Sequence, residues 1–261
     1  MTVAAPKASP EAQGGLKPDI SAPFPTHLGL KPPTGPVDGE TLSYTVDFLG
    51  ITVGYARFQY SGTVPIDGKL THHLKVNAWT SGLLSYVYPV SETIEYFLDV
   101  NTILPVRIEF KGNNNKRDTY AVYDQENSKI VYFFSDDGSI SKTVDIISPC
   151  FDPVSVFYYF RWKYSGRDEK PLNVYGGRKV YQVAARVAGS ERLSKKRGSV
   201  DTVIIEPIIW REGNPQDKGD HRMWLTDDGL RVPMKIYGKF RKIKEWTLVG
   251  ELIPEKQRRA P

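Results

Sequence analysis

The feature that most constrains this chain is residues 149–162, PCFDPVSVFYYFRW, the one convincing helix signal among segments that otherwise have the character of strands and turns. Asp152 suits the N-cap, and Pro153 suits the first helical position, where its missing N–H costs nothing. The turns that follow are apolar or aromatic on nearly every side, which is typical of a helix surrounded by protein. We therefore predict a central helix over residues 152–162, around which β-structure wraps.

The segments on both sides of this helix alternate polar and apolar residues, as half-buried strands do. Thr41–Phe48 is one such segment, and turn formers such as Asp136–Gly138 separate later segments of the same kind. Spacings of about 8–15 residues with short turns favour antiparallel meanders over βαβ units. The predicted fold class is all-β with one or two short helices: a strongly curved antiparallel sheet, or half-open β-barrel, with a central aromatic helix.

Composition along the chain predicts three regions. Residues 1–38 hold eight of the 19 prolines and little periodic apolar pattern, so we expect a disordered leader. Residues 39–253 are predicted to form a single curved β-domain of two similar halves, 39–148 and 171–253, joined by the helix. Residues 254–261 form a basic tail. The first residues show neither a charged n-region nor an apolar h-region, so no signal peptide is visible; they are similar to a mature exported N-terminus with an added Met.

A repeated pattern supports the two halves. Residues 96–108 and 223–236 each contain an aromatic-Leu strand end, an acidic or Asn turn, a Pro and then an apolar-cation-Ile sequence. The pattern predicts a hairpin whose Pro, lacking a ladder donor, stands at the start of the returning strand. Matching Pro105 to Pro233 requires a gap of one residue. We interpret the two segments as copies within a duplicated curved sheet.

Charge and cysteine content exclude several classes of protein. The net charge of +5 is scattered, with short runs at 195–197 and 241–244, whereas a nucleic-acid groove shows a denser basic stripe with exposed aromatics. We therefore expect no nucleic-acid partner. The single cysteine, Cys150, excludes an intrachain disulfide and a Cys/His zinc cage, and fits a small buried apolar side chain. No apolar run approaches the ~20 residues that span a bilayer.

Three segments resemble a known family: residues 39–54, with Gly39–Tyr44 and Gly50–Gly54; Phe151–Ser155; and the segment from Met223 to Lys235. Together they are similar to a bacterial family of domains of unknown function, number 3108. The hairpin alone is more distantly similar to the lipoprotein-carrier (LolA/LolB-like) half-barrels, in which helices plug the concave side. The resemblance implies a half-open barrel in an exported, periplasmic or cell-envelope protein with no established catalytic activity.

Polar clusters offer few candidates for chemistry. His72 and His73 are adjacent on a strand and point to opposite faces, so they cannot both bind one metal ion from one side. The Asp220, His221 and Arg222 loop places a carboxylate beside an imidazole, which acid–base chemistry could use, but no catalytic motif accompanies it. A solvated loop is the preferred interpretation. No catalytic residue, metal or cofactor is predicted.

Aromatic side chains are the better functional candidates. If the curved sheet holds the helix in its concavity, these residues line any space that remains, and Tyr supplies the few polar groups that ligand pockets use. Filling a solid core is the alternative. The candidate ligand-binding residues are Tyr86, Tyr88, Phe157, Tyr158, Phe160 and Trp162.

The predicted function is a non-enzymatic cell-envelope protein that binds an apolar or amphipathic ligand, such as a lipid or a lipid-linked glycan. Its predicted partners are such a small molecule or an envelope protein, with peripheral proximity to a membrane. One alternative is an interaction scaffold with a solid core. The other is an envelope glycan- or lipid-modifying enzyme that uses the loop at residues 220–222.

Overall fold

The structure, a computed structural model, describes residues 30–82, 84–87, 89, 91–112, 117–166, 170–195, 198–211, 214–215, 220–240 and 246–254. Most of these residues form strands. The strands are β1 Thr41–Phe48, β2 Ile51–Ile66, β3 Lys69–Thr80, β4 Ser91–Asp99, β5 Pro105–Gly112, β6 Thr119–Asp124, β7 Lys129–Phe134, β8 Ile140–Asp145, β9 Cys150–Phe151, β10 Leu172–Tyr175, β11 Val180–Lys195, β12 Gly198–Arg211, β13 Asn214–Pro215, β14 His221–Thr226, β15 Pro233–Phe240 and β16 Trp246–Leu252. The helices are α1 Leu84–Val87 and α2 Pro153–Trp162.

The described strands form one large, open, curved sheet, which confirms the predicted fold class. Its order is β8-β7-β6-β5-β4-β3-β2-β1-β16-β15-β14-β12-β11-β10-β9, with β13 paired to β12. Neighbours are antiparallel except β9 and β10, which are parallel. The first and last long strands, β1 and β16, pair at the centre, so the two halves of the chain share a single ladder.

Helix α2 begins where the sequence predicts. Asp152 is the N-cap: its carboxylate accepts hydrogen bonds from the backbone N–H groups of Val154, at 3.1 Å, and Ser155, at 2.8 Å. The Ser155 hydroxyl accepts in return from the Asp152 N–H at 2.8 Å, which completes a capping box. Burial raises the pKa of the Asp152 carboxyl, although these hydrogen bonds oppose the shift.

The two halves carry the same hairpin at corresponding places. In β4–β5 and in β14–β15 a Leu pairs with the returning Pro, directly after a register shift. Two residues before each Pro, the backbone has positive φ: 62° at Ile103 and 47° at Arg231. In each turn an aspartate, Asp99 or Asp228, accepts hydrogen bonds from backbone N–H groups two and three residues further on. The Leu–Pro pairs are Leu98 with Pro105 and Leu225 with Pro233.

Long bulged hairpins precede these turns in both halves. The sequence predicts strands over Ile51–Tyr60 and Arg178–Val187. In the structure β2 extends to Ile66 and β11 to Lys195, and each is 16 residues long. Glycines just beyond the predicted ends, Gly62 and Gly189, have positive φ and absorb a register shift, so each strand is bulged there and not broken.

The predicted leader boundary at residue 38 lies inside the packed chain. Leu30 packs against the core, and the Thr34 N–H donates to the Gly229 carbonyl at 2.8 Å. A Cβ on Gly229 would lie 2.6 Å from the Thr34 methyl group, so only glycine allows this approach. Apolar and backbone contacts therefore fix residues 30–38 on the domain; residues 1–29, the tail from 255 and the connecting residues 167–169 lie outside the described residues.

Buried arginines fix the C-terminal end of α2. The Arg161 guanidinium, 1% exposed, forms two hydrogen bonds with the Glu40 carboxylate, at 2.6 and 2.7 Å, and also donates to the carbonyls of Leu230 and Arg231. Burial acts to lower the Arg161 pKa, but the hydrogen bonds and attraction from Glu40 outweigh it, so the pKa is raised. The helix is thereby joined to the start of β1 and to the β14–β15 turn.

Arg231 completes this end of the helix. Its guanidinium donates to the carbonyls of Phe160, Tyr164 and Lys31, at 3.4, 2.6 and 2.8 Å. A cation at these positions satisfies carbonyls at the C-terminal end of α2, where the helix dipole also favours positive charge. Burial lowers the Arg231 pKa, opposed by Tyr164.

Replacing Glu40 with Ala tests the importance of this ion pair. The change leaves the Arg161 charge buried without its carboxylate, which costs about 3–5 kcal/mol of unfolding free energy. Urea denaturation followed by circular dichroism measures the loss. Asp201→Asn is the matched control, because its partner Arg192 is exposed, and we expect little change. Equal effects of the two substitutions would contradict the proposed importance of the buried pair.

Candidate functional site

A cavity of about 540 Å³ lies between α2 and the concave face of the sheet. Its walls come from α2 and from strands β1, β2, β11, β12, β14, β15 and β16, together with the end of β10. The lining residues are almost all apolar: Tyr44, Val46, Ala56, Phe58, Pro153, Val156, Phe157, Phe160, Val174, Gly176, Tyr181, Val183, Pro207, Ile209, His221, Arg222, Met223, Ile236, Tyr237, Gly238, Leu248 and Gly250.

Small residues on the sheet leave this space open. Ala56, Gly238 and Gly250 stand on strands that face the helix, where larger side chains would fill the gap. At Gly250 the backbone φ is ordinary, and an added Cβ would have its nearest neighbours at 3.9 Å. Glycine is therefore not required there for backbone geometry, and its lack of a side chain enlarges the cavity.

Helix α2 has two different apolar faces. Pro153, Val156, Phe157 and Phe160, spaced i, i+3, i+4 and i+7, line the cavity. Tyr158 and Trp162 lie on another face and pack into a closed core, where Trp162 meets the rings of Tyr60 and His72 at centroid distances of 5.7 and 5.3 Å. The helix therefore closes a solid core on one side and covers a cavity on the other.

The six sequence-predicted ligand residues divide accordingly. Phe157 and Phe160 line the cavity. Tyr158 and Trp162 do not, because helical spacing turns them into the closed core. Tyr86 lies on α1 with 87% of its surface exposed, away from the cavity, and Tyr88 lies outside the described residues.

Sequence reasoning missed the sheet side of the site. Tyr44 and Val46 on β1, Met223 on β14 and Leu248 on β16 all face α2. The period-2 alternation of β1 does place Tyr44 and Val46 on one face. That pattern could have identified them, but only the tertiary structure shows which strands lie opposite the cavity-lining face of the helix.

Tyr44 and His221 are the main polar groups around the cavity. The Tyr44 hydroxyl donates to the Pro233 carbonyl at 2.8 Å, and burial raises its pKa well above the ordinary value. His221 is half-buried; burial lowers its pKa, and the neighbouring Asp220 opposes that shift. The sequence predicts that residues 220–222 form a solvated loop. In the structure His221 and Arg222 instead line the cavity.

The other chemical candidates have structural partners. His72 Nδ1 lies 3.0 Å from the Tyr60 hydroxyl inside the sheet, whereas His73 Nε2 lies 2.8 Å from the Glu95 carboxylate on the opposite face. Cys150 is buried, and burial raises its pKa to about 12. Across the described part of the chain, no group of three or more His, Cys, Asp and Glu residues is placed to hold a metal ion. None of the described helices is long and apolar enough to cross a membrane.

The fold and cavity define a class: a predominantly β protein with a half-open curved sheet around one aromatic helix. The chain belongs to the family described as protein of unknown function (DUF3108), whose model matches residues 43–240. The predicted family is thereby confirmed, while the more distant resemblance to lipoprotein carriers stays a prediction. Among curated proteins none matches.

Comparison with solved structures matched two proteins at low similarity. One is a β-barrel-like protein of domain of unknown function DUF1849 from Brucella abortus, with 9% identity, a TM-score of 0.49, and coverage of 86% of this chain and 97% of that one. The other is a protein with a YmcC-like fold from Bacteroides fragilis, with 7% identity, a TM-score of 0.33, and coverage of 85% and 96%.

The buried histidines predict acid sensitivity. Burial lowers the pKa of His72, helped by Lys163, and lowers that of His221. In the unfolded chain, histidine has a pKa near 6.5, so below this pH the unfolded chain binds more protons than the native protein. The free energy of unfolding therefore decreases as the pH falls below ~6.5. We expect a lower urea midpoint at pH 5.5 than at pH 7.5, and a smaller difference in the double variant His72→Gln/His221→Gln.

His73 provides no equivalent control, because its partly buried ring is paired with Glu95. Asp152→Asn provides one instead: the raised pKa of this carboxyl gives a pH dependence of opposite sign, with stability falling as the pH rises. A pH difference unchanged in the double histidine variant would show that other groups cause it.

Proposed function

We propose that this protein binds an apolar or amphipathic small molecule in the cavity beneath α2 and acts by binding, without catalysis. The observation that carries the proposal is the cavity itself. Its volume of about 540 Å³ falls within the range of about 300–1,000 Å³ typical of ligand sites, and its lining is apolar with a few polar groups. Transfer of an apolar ligand from water into such a site is favoured by the hydrophobic effect.

The chemistry of the lining supports binding over catalysis. Among the described lining residues there is no Ser, Thr, Cys, Lys, Asp or Glu side chain, so the wall carries neither a common nucleophile nor a carboxylate base. His221 is the titratable imidazole in this wall. In the proposed function it fixes the polar end of an amphipathic ligand by hydrogen bonding, a role that a neutral imidazole performs as donor or acceptor.

The proposed compartment is the bacterial cell envelope, and the proposed ligand is lipid-like. The support for the compartment is the sequence resemblance to an exported family. The support for the ligand is the apolar lining, which matches hydrocarbon better than a sugar.

A second candidate is a protein-binding scaffold that acts through a sheet edge. β8 pairs with β7 on one side, and most of its residues, including Ile140 at 62% exposure, face solvent. Among the described strands β8 has no partner on its other side, and such an edge offers backbone groups to an added strand. This candidate does not use the cavity, so substitutions in the cavity separate the two functions.

Filling the cavity tests the proposed function. Gly250→Leu places a side chain in the cavity without backbone strain, because φ is ordinary and no atom lies nearer than 3.9 Å to the added Cβ. We expect the affinity for a neutral naphthylamine fluorophore, measured by fluorescence titration, to fall at least tenfold. The melting temperature should be retained or rise, since the new side chain buries apolar surface.

Gly112→Leu is the matched control. It makes the same substitution at the end of β5, where a Cβ meets nothing within 4 Å and the cavity is remote. Affinity for the fluorophore should equal that of the wild type. Equal affinity of the Gly250→Leu variant, or no measurable binding by the wild type, would refute the proposed function.

A further inference from the structure

The cavity opens at the end of the central strands that carries the β1–β2 hairpin. There Leu49 and Ile51, from this hairpin, and Leu248, from β16, are 55%, 70% and 41% exposed. Phe48 pairs with both Ile51 and Leu248, so these two residues share a face of the sheet. The Leu49 N–H also donates to the Thr247 carbonyl at 3.1 Å, which holds the hairpin tip beside β16. We call Leu49, Ile51 and Leu248 the mouth rim.

The mouth rim is continuous with the cavity. Leu248 lines the cavity and is also exposed, and Gly176 and Arg222 are further lining residues at the surface. The cavity therefore reaches the surface beside Leu248, which is part of the mouth rim. A ligand entering or leaving by this opening passes over the rim.

Leu49 stands where the backbone favours another residue. The two-residue connection of β1 and β2 has positive φ at both positions, 51° at Leu49 and 83° at Gly50. Turns of this kind strongly prefer Asn-Gly, because Asn tolerates positive φ and leucine does not. Asn would also be the more soluble choice at an exposed tip. The leucine is thus unfavourable for the turn and for solvation, as expected of a residue kept for an interaction.

Positive charge lies beside the same opening. The β10–β11 turn begins at Gly176, a lining residue, and continues with exposed Arg178 and Lys179. Basic residues near an anionic membrane surface each contribute about 1 kcal/mol of attraction. Apolar side chains that enter the interfacial region add to this, and such binding generally needs two signals of this kind.

We propose that the mouth rim, with Arg178 and Lys179, docks this protein on a membrane that contains anionic lipids, with the cavity opening toward the bilayer. The size of the patch favours a membrane over a protein partner: three apolar side chains fall well short of the roughly 800 Å² per partner in a stable protein interface. The orientation of the cavity opening toward the bilayer rests on the proposed function, because it assumes that a ligand enters or leaves the cavity there.

Vesicle co-sedimentation of the full chain tests the docking, with vesicles of phosphatidylcholine alone or mixed with phosphatidylglycerol. We expect binding to the mixed vesicles that weakens at high salt. Leu49→Asn/Ile51→Thr should lower the partition coefficient at least tenfold, while the melting temperature stays equal or rises, because Asn suits the turn and Thr suits a strand. Arg178→Gln/Lys179→Gln should lower binding to mixed vesicles about twenty-five-fold, at roughly fivefold per charge.

Leu70→Thr is the control. Leu70 is 52% exposed at the β2–β3 turn, which lies at the opposite end of β2 from the β1–β2 hairpin. It should bind vesicles like the wild type. No binding by the wild type, or equal loss in the control and in the rim variant, overturns the proposal. Fluorophore binding without vesicles should be unchanged in the rim variant, so docking can fail while the proposed function stands, and the reverse.

Discussion

The buried ion pair of Arg161 with Glu40 is the interaction on which the position of the central helix depends. A guanidinium removed from water needs a carboxylate or several carbonyls close to it, and few arrangements supply them. Here the carboxylate comes from the start of β1 and the carbonyls from the β14–β15 turn, so one side chain joins the helix to both halves of the sheet. Arg231 extends the contact to the backbone at residue 31. This polar network fixes the C-terminal end of α2, while the face that carries Pro153, Val156, Phe157 and Phe160 covers the cavity.

The sizes of the side chains that face α2 explain why the cavity is one-sided. Both halves present a concave face to the helix, with matching hairpins and bulges. On the closed side of α2, large side chains of the first half such as Tyr60, Tyr96 and Tyr123 form part of the core. On the other side, small residues from both halves, including Ala56, Gly238 and Gly250, face the helix and a space remains. Large side chains thus give solid packing on one side of α2, and small ones leave the cavity on the other.

The exposed rim and the apolar cavity belong to one surface, and both have a cost in stability. A cavity forgoes dispersion contacts, and a leucine at positive φ forgoes a better turn residue. Proteins keep such features where an interaction compensates for them. Ligand binding in the cavity and membrane docking at the rim would each supply that compensation, and the glycine and leucine substitutions separate the two.

The amino-acid sequence by itself determined the strands, their turns, the capped helix at Asp152 and Pro153, and the all-β fold class, because alternation, turn chemistry and capping are local properties of neighbouring residues. It also indicated the repeat and the family. It underestimated β2 and β11, since a glycine that breaks a strand and one that allows a bulge look alike in sequence. Of the site it found Phe157 and Phe160 but not Tyr44, Met223 or Leu248, and it placed Tyr158 and Trp162 in the same group. Only the tertiary structure decided which face of α2 meets large residues and which meets small ones, because that depends on strands that are distant in the chain, such as β1 and β16.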